Sequence, residues 1–123
     1  MTVTAYTLAV LLDLFCVFLG YRFLFQPGPA AAGYGVPADP RGDAGAYLSV
    51  KGLRDGTFGV LGLALLAFAG AHAEAWFMVA VALVPFGDTL TVLRNGGTRA
   101  VAFGIHFATA IVVLISAGLL FAV

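Results

Sequence analysis

The chain has 123 residues, of which 62% are hydrophobic and only 10% charged, whereas soluble domains are about a quarter charged. A chain this short exposes much of its surface, so the composition argues against a water-soluble helical bundle and for a protein dissolved in lipid. Six Lys/Arg balance six Asp/Glu, so no charge excess points to nucleic acid or an acidic partner, and the single Cys16 allows no intrachain disulfide.

About 20 apolar residues in a helix cross a bilayer, and four stretches are long enough. The first is 3–25. Its opening, MTVTAYTLAV, lacks a basic region and no small-residue cleavage site follows, so it reads as a retained helix rather than a signal peptide. Pro27, Gly28 and Pro29 stop it. The connection QPGPAAAGYGVPADPRGDAGA is too apolar for a free linker; it is expected to fold over the end of the bundle, with a short amphipathic helix near Pro29–Gly35. The second stretch, 48–71, carries KGLRDG near its start. A tight turn at Ala71–Glu74 leads to the third, 74–94, which Pro85 should kink. Asn95, Gly96 and Gly97 then break the chain, and Thr98 is placed to cap the fourth stretch, 99–122. The expectation is an all-α integral membrane protein: one domain over residues 1–123, a four-transmembrane-helix bundle with a long first cytoplasmic loop.

Basic residues set the orientation. Arg22, Arg41, Lys51 and Arg54 flank the first connection and Arg94 and Arg99 flank the third, while the termini and the 71–74 turn have none. Both termini are therefore expected outside, and the two charged connections in the cytoplasm.

Ionisable groups within spans are costly, by about 2.5 kcal/mol or more at the centre, and each needs a reason. At about 1.5 Å per residue, Asp55, Asp88 and His106 all fall about 10 Å from the charged end, on three different helices. Arg54 stands beside Asp55, and Lys51 precedes it by one turn, where the two can neutralise each other. Gly52, Gly56, Gly59 and Gly62 form a small-residue stripe of the kind that lets membrane helices approach closely, and it invites self-association as a homodimer. Asp13 lies deeper, near the midplane, on a face with Tyr6, Cys16 and Gly20. Asp88, Thr91 and Arg94 recur along the third helix; Arg99, His106, Thr109 and Ser116 line one face of the fourth. Each has a plainer reading. Lys51, Arg94 and Arg99 suit snorkelling interfacial anchors, Arg22 divides between anchor and site, Asp55 with Arg54 suits a structural ion pair, and Asp13 a hydrogen-bonded structural acid. Two carboxylates, an Arg and a His at one depth together favour a shared cavity.

The segments YRFLFQPGPAAAGYGVP, YLSVKGLRDGTFGVLGLALL and LVPFGDTLTVLRNGG resemble a family of small four-helix membrane proteins of actinobacteria and fungi, catalogued as a domain of unknown function and loosely similar to DoxX-like membrane proteins. The matching marks are Arg22 with Phe23, Gly33 to Pro37, Gly52 to Asp55, and Gly87 with Asp88, and the likeness covers nearly the whole chain. The resemblance implies the four-helix fold and a plasma-membrane location in bacteria. Its association with natural-product biosynthesis implies a lipophilic substrate.

The residues themselves suit acid–base chemistry. Asp55 and Asp88 would serve as general acid and base, Arg54 or Arg22 would bind an oxyanion, and His106 would relay a proton. Asp13, Arg22, Cys16, Thr91 and Thr109 would line the substrate. The set fits isomerisation, cyclisation or epoxide opening and not redox work, since it has neither a Cys pair nor a haem-type His pair; no cofactor is expected, and Arg54 argues against a metal. Lipophilic small molecules and membrane lipids are the expected partners. A proton-coupled small-multidrug-type exporter built on Asp13, and a non-catalytic lipid-binding scaffold, are the alternatives.

Overall fold

The first 24-residue apolar run forms α1 (Thr2–Phe25), which ends where Gln26 leaves helical geometry. A computed structural model describes residues 1–123, and it holds helices and no strand. Pro27 occupies the first turn of α2 (Pro27–Tyr34), where a missing N–H costs nothing. The helix near Pro29–Gly35 thus exists, beginning two residues earlier. Gly35 closes it in the left-handed region at φ 103°. A side chain there would also meet Val101 at 2.7 Å, so glycine is required on both counts. The first connection is therefore not a plain long loop.

α3 (Ala44–Phe68) begins four residues ahead of the expected 48. Its first turn precedes the apolar run, so hydropathy alone could not mark it. The turn that follows also lies elsewhere than expected. Ala69 and Gly70, the latter at φ 92°, make it, and α4 (Ala71–Val81) already contains Glu74. Glu74 is not a turn residue at the surface; it is fully buried. The expected turn at Ala71–Glu74 thus falls earlier, at Ala69 and Gly70. α4 gives way at Ala82 to α5 (Leu83–Arg94). Pro85 accounts for the break, because it cannot bond the carbonyl one turn back, that of Val81. The last span comprises α6 (Arg99–Val101), a π-helical segment Ala102–Phe107 and α7 (Ala108–Phe121). Thr98 caps it as expected, accepting from the Val101 N–H at 3.1 Å.

Three helical stretches are long and apolar enough to cross a membrane: Thr2–Phe25, Ala71–Arg94 and Arg99–Phe121. They mark the chain as a membrane protein. α3 is equally long, at 25 residues, but Lys51, Arg54 and Asp55 interrupt its apolar character, so it does not join them on composition.

Two kinds of packing hold the helices. α1 lies along α3 through glycines: a methyl on Gly20 would stand 2.6 Å from the Gly56 Cα, and one on Gly52 would meet Leu24 and Phe23. Gly59 and Gly62 receive Val17 and Asp13 of α1. The glycine stripe is thus spent inside the chain and lends no support to dimerisation. On the other side, Ala5, Ala9, Ala75, Met78, Ala117 and Leu120 join α1, α4 and α7 in an apolar core. Small residues at these contacts let backbones approach, which is the main source of helix affinity in lipid. Large apolar side chains such as Leu11, Phe18, Val60 and Ile115 point outward, as a lipid-facing surface requires.

Candidate functional site

Between α1, α2, α3, α5 and the last span lies a cavity of about 290 Å³, close to the lower limit for small-molecule sites. Phe15, Leu19, Phe58, Val84 and Val113 give it an apolar wall, and its polar groups are Arg22, Tyr34, Lys51, Asp55, Asp88 and His106.

Apart from Arg22, these polar groups form a connected set. Tyr34 donates its hydroxyl to Asp88 Oδ1 at 2.8 Å. Tyr34 lies on α2, outside the spans. Burial, with the Asp88 charge adding to it, holds its phenol above the ordinary range, so the hydroxyl stays a donor. The Tyr34 carbonyl meets His106 Nε2 at 2.7 Å. A carbonyl only accepts, so Nε2 carries the hydrogen and Nδ1 is the free nitrogen, an assignment that follows from the hydrogen-bond network. Nδ1 lies 4.0 Å from Asp88 Oδ2. The Tyr34 and His106 rings also pack, with centroids 4.6 Å apart. Lys51 Nζ donates to Asp55 Oδ2 at 2.9 Å and stands 4.0 Å from Asp88 Oδ2. It is 4.9 Å from the Phe23 ring centre and 5.0 Å from that of Tyr34, within reach of cation–π attraction. Arg54 reaches the other oxygen of Asp55 through Nε and a terminal nitrogen, at 3.3 and 3.2 Å.

Asp88, Asp55, His106, Arg22, Cys16 and Thr109, all expected at a site, do line this cavity. Thr109 has its hydroxyl turned to the Ile105 carbonyl at 2.6 Å. Arg54, Thr91 and Asp13 do not line it. Arg54 is half-exposed and holds Asp55 from behind. Thr91 is exposed and its hydroxyl bonds the Gly87 carbonyl one turn back. Asp13 faces Glu74 instead. These two carboxyls are buried and can bond one another only with a proton between them; Ser116 is likewise buried, its hydroxyl without a partner.

Two residues at the polar end were not among those expected to line a site. Lys51 pairs with Asp55 as its i,i+4 spacing suggests, but its pattern also reads as a lipid anchor, and its place in the cavity was not expected. Tyr34 comes from a connection, and depth along a span says nothing about connections; only its place in Gly-Tyr-Gly-Val-Pro marked it. His106 belongs to the π-helical segment, a wide turn that often accompanies function.

Neither a curated protein nor a solved structure matches the chain at a meaningful level. A protein-family profile does, over residues 14–120, which take in every residue that lines the cavity. The chain thus belongs to the family described as a domain of unknown function (DUF4267).

Proposed function

We propose that this protein is a membrane-embedded acid–base enzyme acting on a lipophilic small molecule, by isomerisation, cyclisation or epoxide opening. One observation carries the reading: an apolar cavity ends in a set of proton-transfer groups, with Tyr34 bonded to both Asp88 and His106. His106 Nδ1 has a free lone pair and takes a proton from the substrate; Asp88, 4.0 Å away, stabilises the imidazolium that results. Lys51 polarises an oxygen of the substrate and gives it a proton, and the proton taken up by His106 returns to Lys51 by way of Asp88 Oδ2, 4.0 Å from both, so an isomerisation balances with no other reactant. Asp55 already receives three hydrogen bonds from Lys51 and Arg54. Its part is to hold Lys51 in place rather than to act as the acid.

In this reading α3 is a fourth span. The Lys51–Asp55–Arg54 cluster lowers the cost of its own burial by mutual neutralisation. All six cations then face the cytoplasm of a bacterial cell, and both termini lie outside. The exporter reading rests on Asp13, but that residue is 4% exposed within the single chain and packed against Glu74 and Gly62. It is therefore poorly placed for a chamber shared between two copies.

Organic extraction of the purified protein followed by mass spectrometry tests the proposal. One lipophile should be enriched over the bulk lipid at near-stoichiometric amounts. An extract indistinguishable from the surrounding lipid, together with no binding of added lipophiles, would overturn it.

A further inference from the structure

Arg22 lines the cavity from the last turn of α1, and no carboxylate in the protein pairs with it. Its Nε is buried without a hydrogen-bond partner. It joins none of the ion pairs, which are made by Arg41, Lys51, Arg54 and His106. Its nearest aromatic neighbour, Phe18, lies 6.0 Å from the guanidinium, at the outer edge of cation–π range. The other cations near the cavity are accounted for: Lys51 and Arg54 bind Asp55, and Lys51 also approaches Asp88. Three cations thus face two carboxylates, and the surplus charge is that of Arg22. A buried donor left unpaired is costly, more so when it belongs to a charged group, so a guanidinium whose Nε is buried without a partner beside an apolar wall is a feature that a ligand would complete.

We propose that the ligand is a monoanionic amphiphile, with a carboxylate or phosphate head on Arg22 and an apolar body along Phe15, Leu19 and Phe58. The inference rests on the reading of the cavity as a lipophile site and adds the charge of the molecule. A guanidinium suits either head, because its fork of donors matches two oxygens at once. The head has two sources, a free lipophilic acid or a membrane phospholipid.

The test uses the purified protein in non-ionic detergent. cis-Parinaric acid, a fluorescent fatty acid, is titrated beside its methyl ester, which has the same body without the charge. The acid should bind at least tenfold more tightly than the ester. Arg22→Gln should abolish that preference while still binding the ester, and Arg22→Lys should keep part of it. Ester binding also shows that each variant is folded. Displacement by oleate and by phosphatidylglycerol then separates the sources: the more effective competitor identifies the head as a free acid or as a membrane phosphate. Equal affinity for acid and ester, or an unchanged preference in Arg22→Gln, overturns the inference and leaves the lipophile site standing. Binding of neither compound by the unaltered protein removes the lipophile site and this inference with it.

Discussion

Asp88 takes the Tyr34 hydroxyl on one oxygen and lies 4.0 Å from both Lys51 and His106 through the other. Asparagine keeps the size and can still accept from Tyr34, so Asp88→Asn should shift the thermal midpoint by no more than a few degrees. It removes the charge that would stabilise a protonated His106, and turnover, or the amount of co-purified lipophile, should fall at least tenfold. Normal retention and turnover would make Asp88 structural. Asp55→Asn should behave differently. It strands Lys51, whose side chain is 19% exposed, and frees Arg54, at 43%. Breaking a fully buried pair costs about 3–5 kcal/mol. Arg54 reaches solvent, so about 2–3 kcal/mol is the expected loss, read as a lower melting temperature in detergent together with lower ligand retention. Asp55, Asp88 and His106 were legible in the sequence because ionisable groups stand out in apolar helices and a fixed rise converts position into depth. The Lys51–Asp55 pair was legible too, but the cavity positions of Lys51 and Tyr34 were not, because snorkelling and inward lysines share one pattern, and because the docking of a connection depends on tertiary packing.

The contact between α1 and α3 depends on the absence of side chains at a few places. Gly20→Ala would put a methyl 2.6 Å from the Gly56 Cα, backbone that cannot yield, so the helices must part; a loss of about 1–3 kcal/mol is expected. Gly118→Ala is the control. Nothing lies within 4 Å of that position, and the change should be neutral or stabilising by up to about 1 kcal/mol. Thermal melts of both variants decide it: equal melting temperatures would mean that the α1–α3 approach contributes little. The existence of these helices was readable from length and apolar content. Their ends were not, since Ala44–Tyr47 carries no distinguishing apolar pattern and Glu74 looked like the end of a turn. The break at Ala82 followed from Pro85, whereas no residue type announces the π-helical segment.

Across the whole molecule, the charge asymmetry predicts the disposition in the membrane. Single cysteines placed at Thr2 and Asp39, with Cys16 replaced, should differ in intact cells: the first reacts with an impermeant thiol reagent and the second is protected. The reverse pattern would invert the orientation. Tyr34 ties the first connection to two different spans at once, through its hydroxyl to α5 and through its carbonyl to His106. Both ties belong to one residue at the end of α2, next to the Gly35 that closes the helix. If α2 swings away from the bundle, both are released in one event, and Asp88 and His106 lose their common partner together. Tyr34 is thus a latch of two ties, and opening it at α2 would free the carboxylate and the imidazole in the same movement.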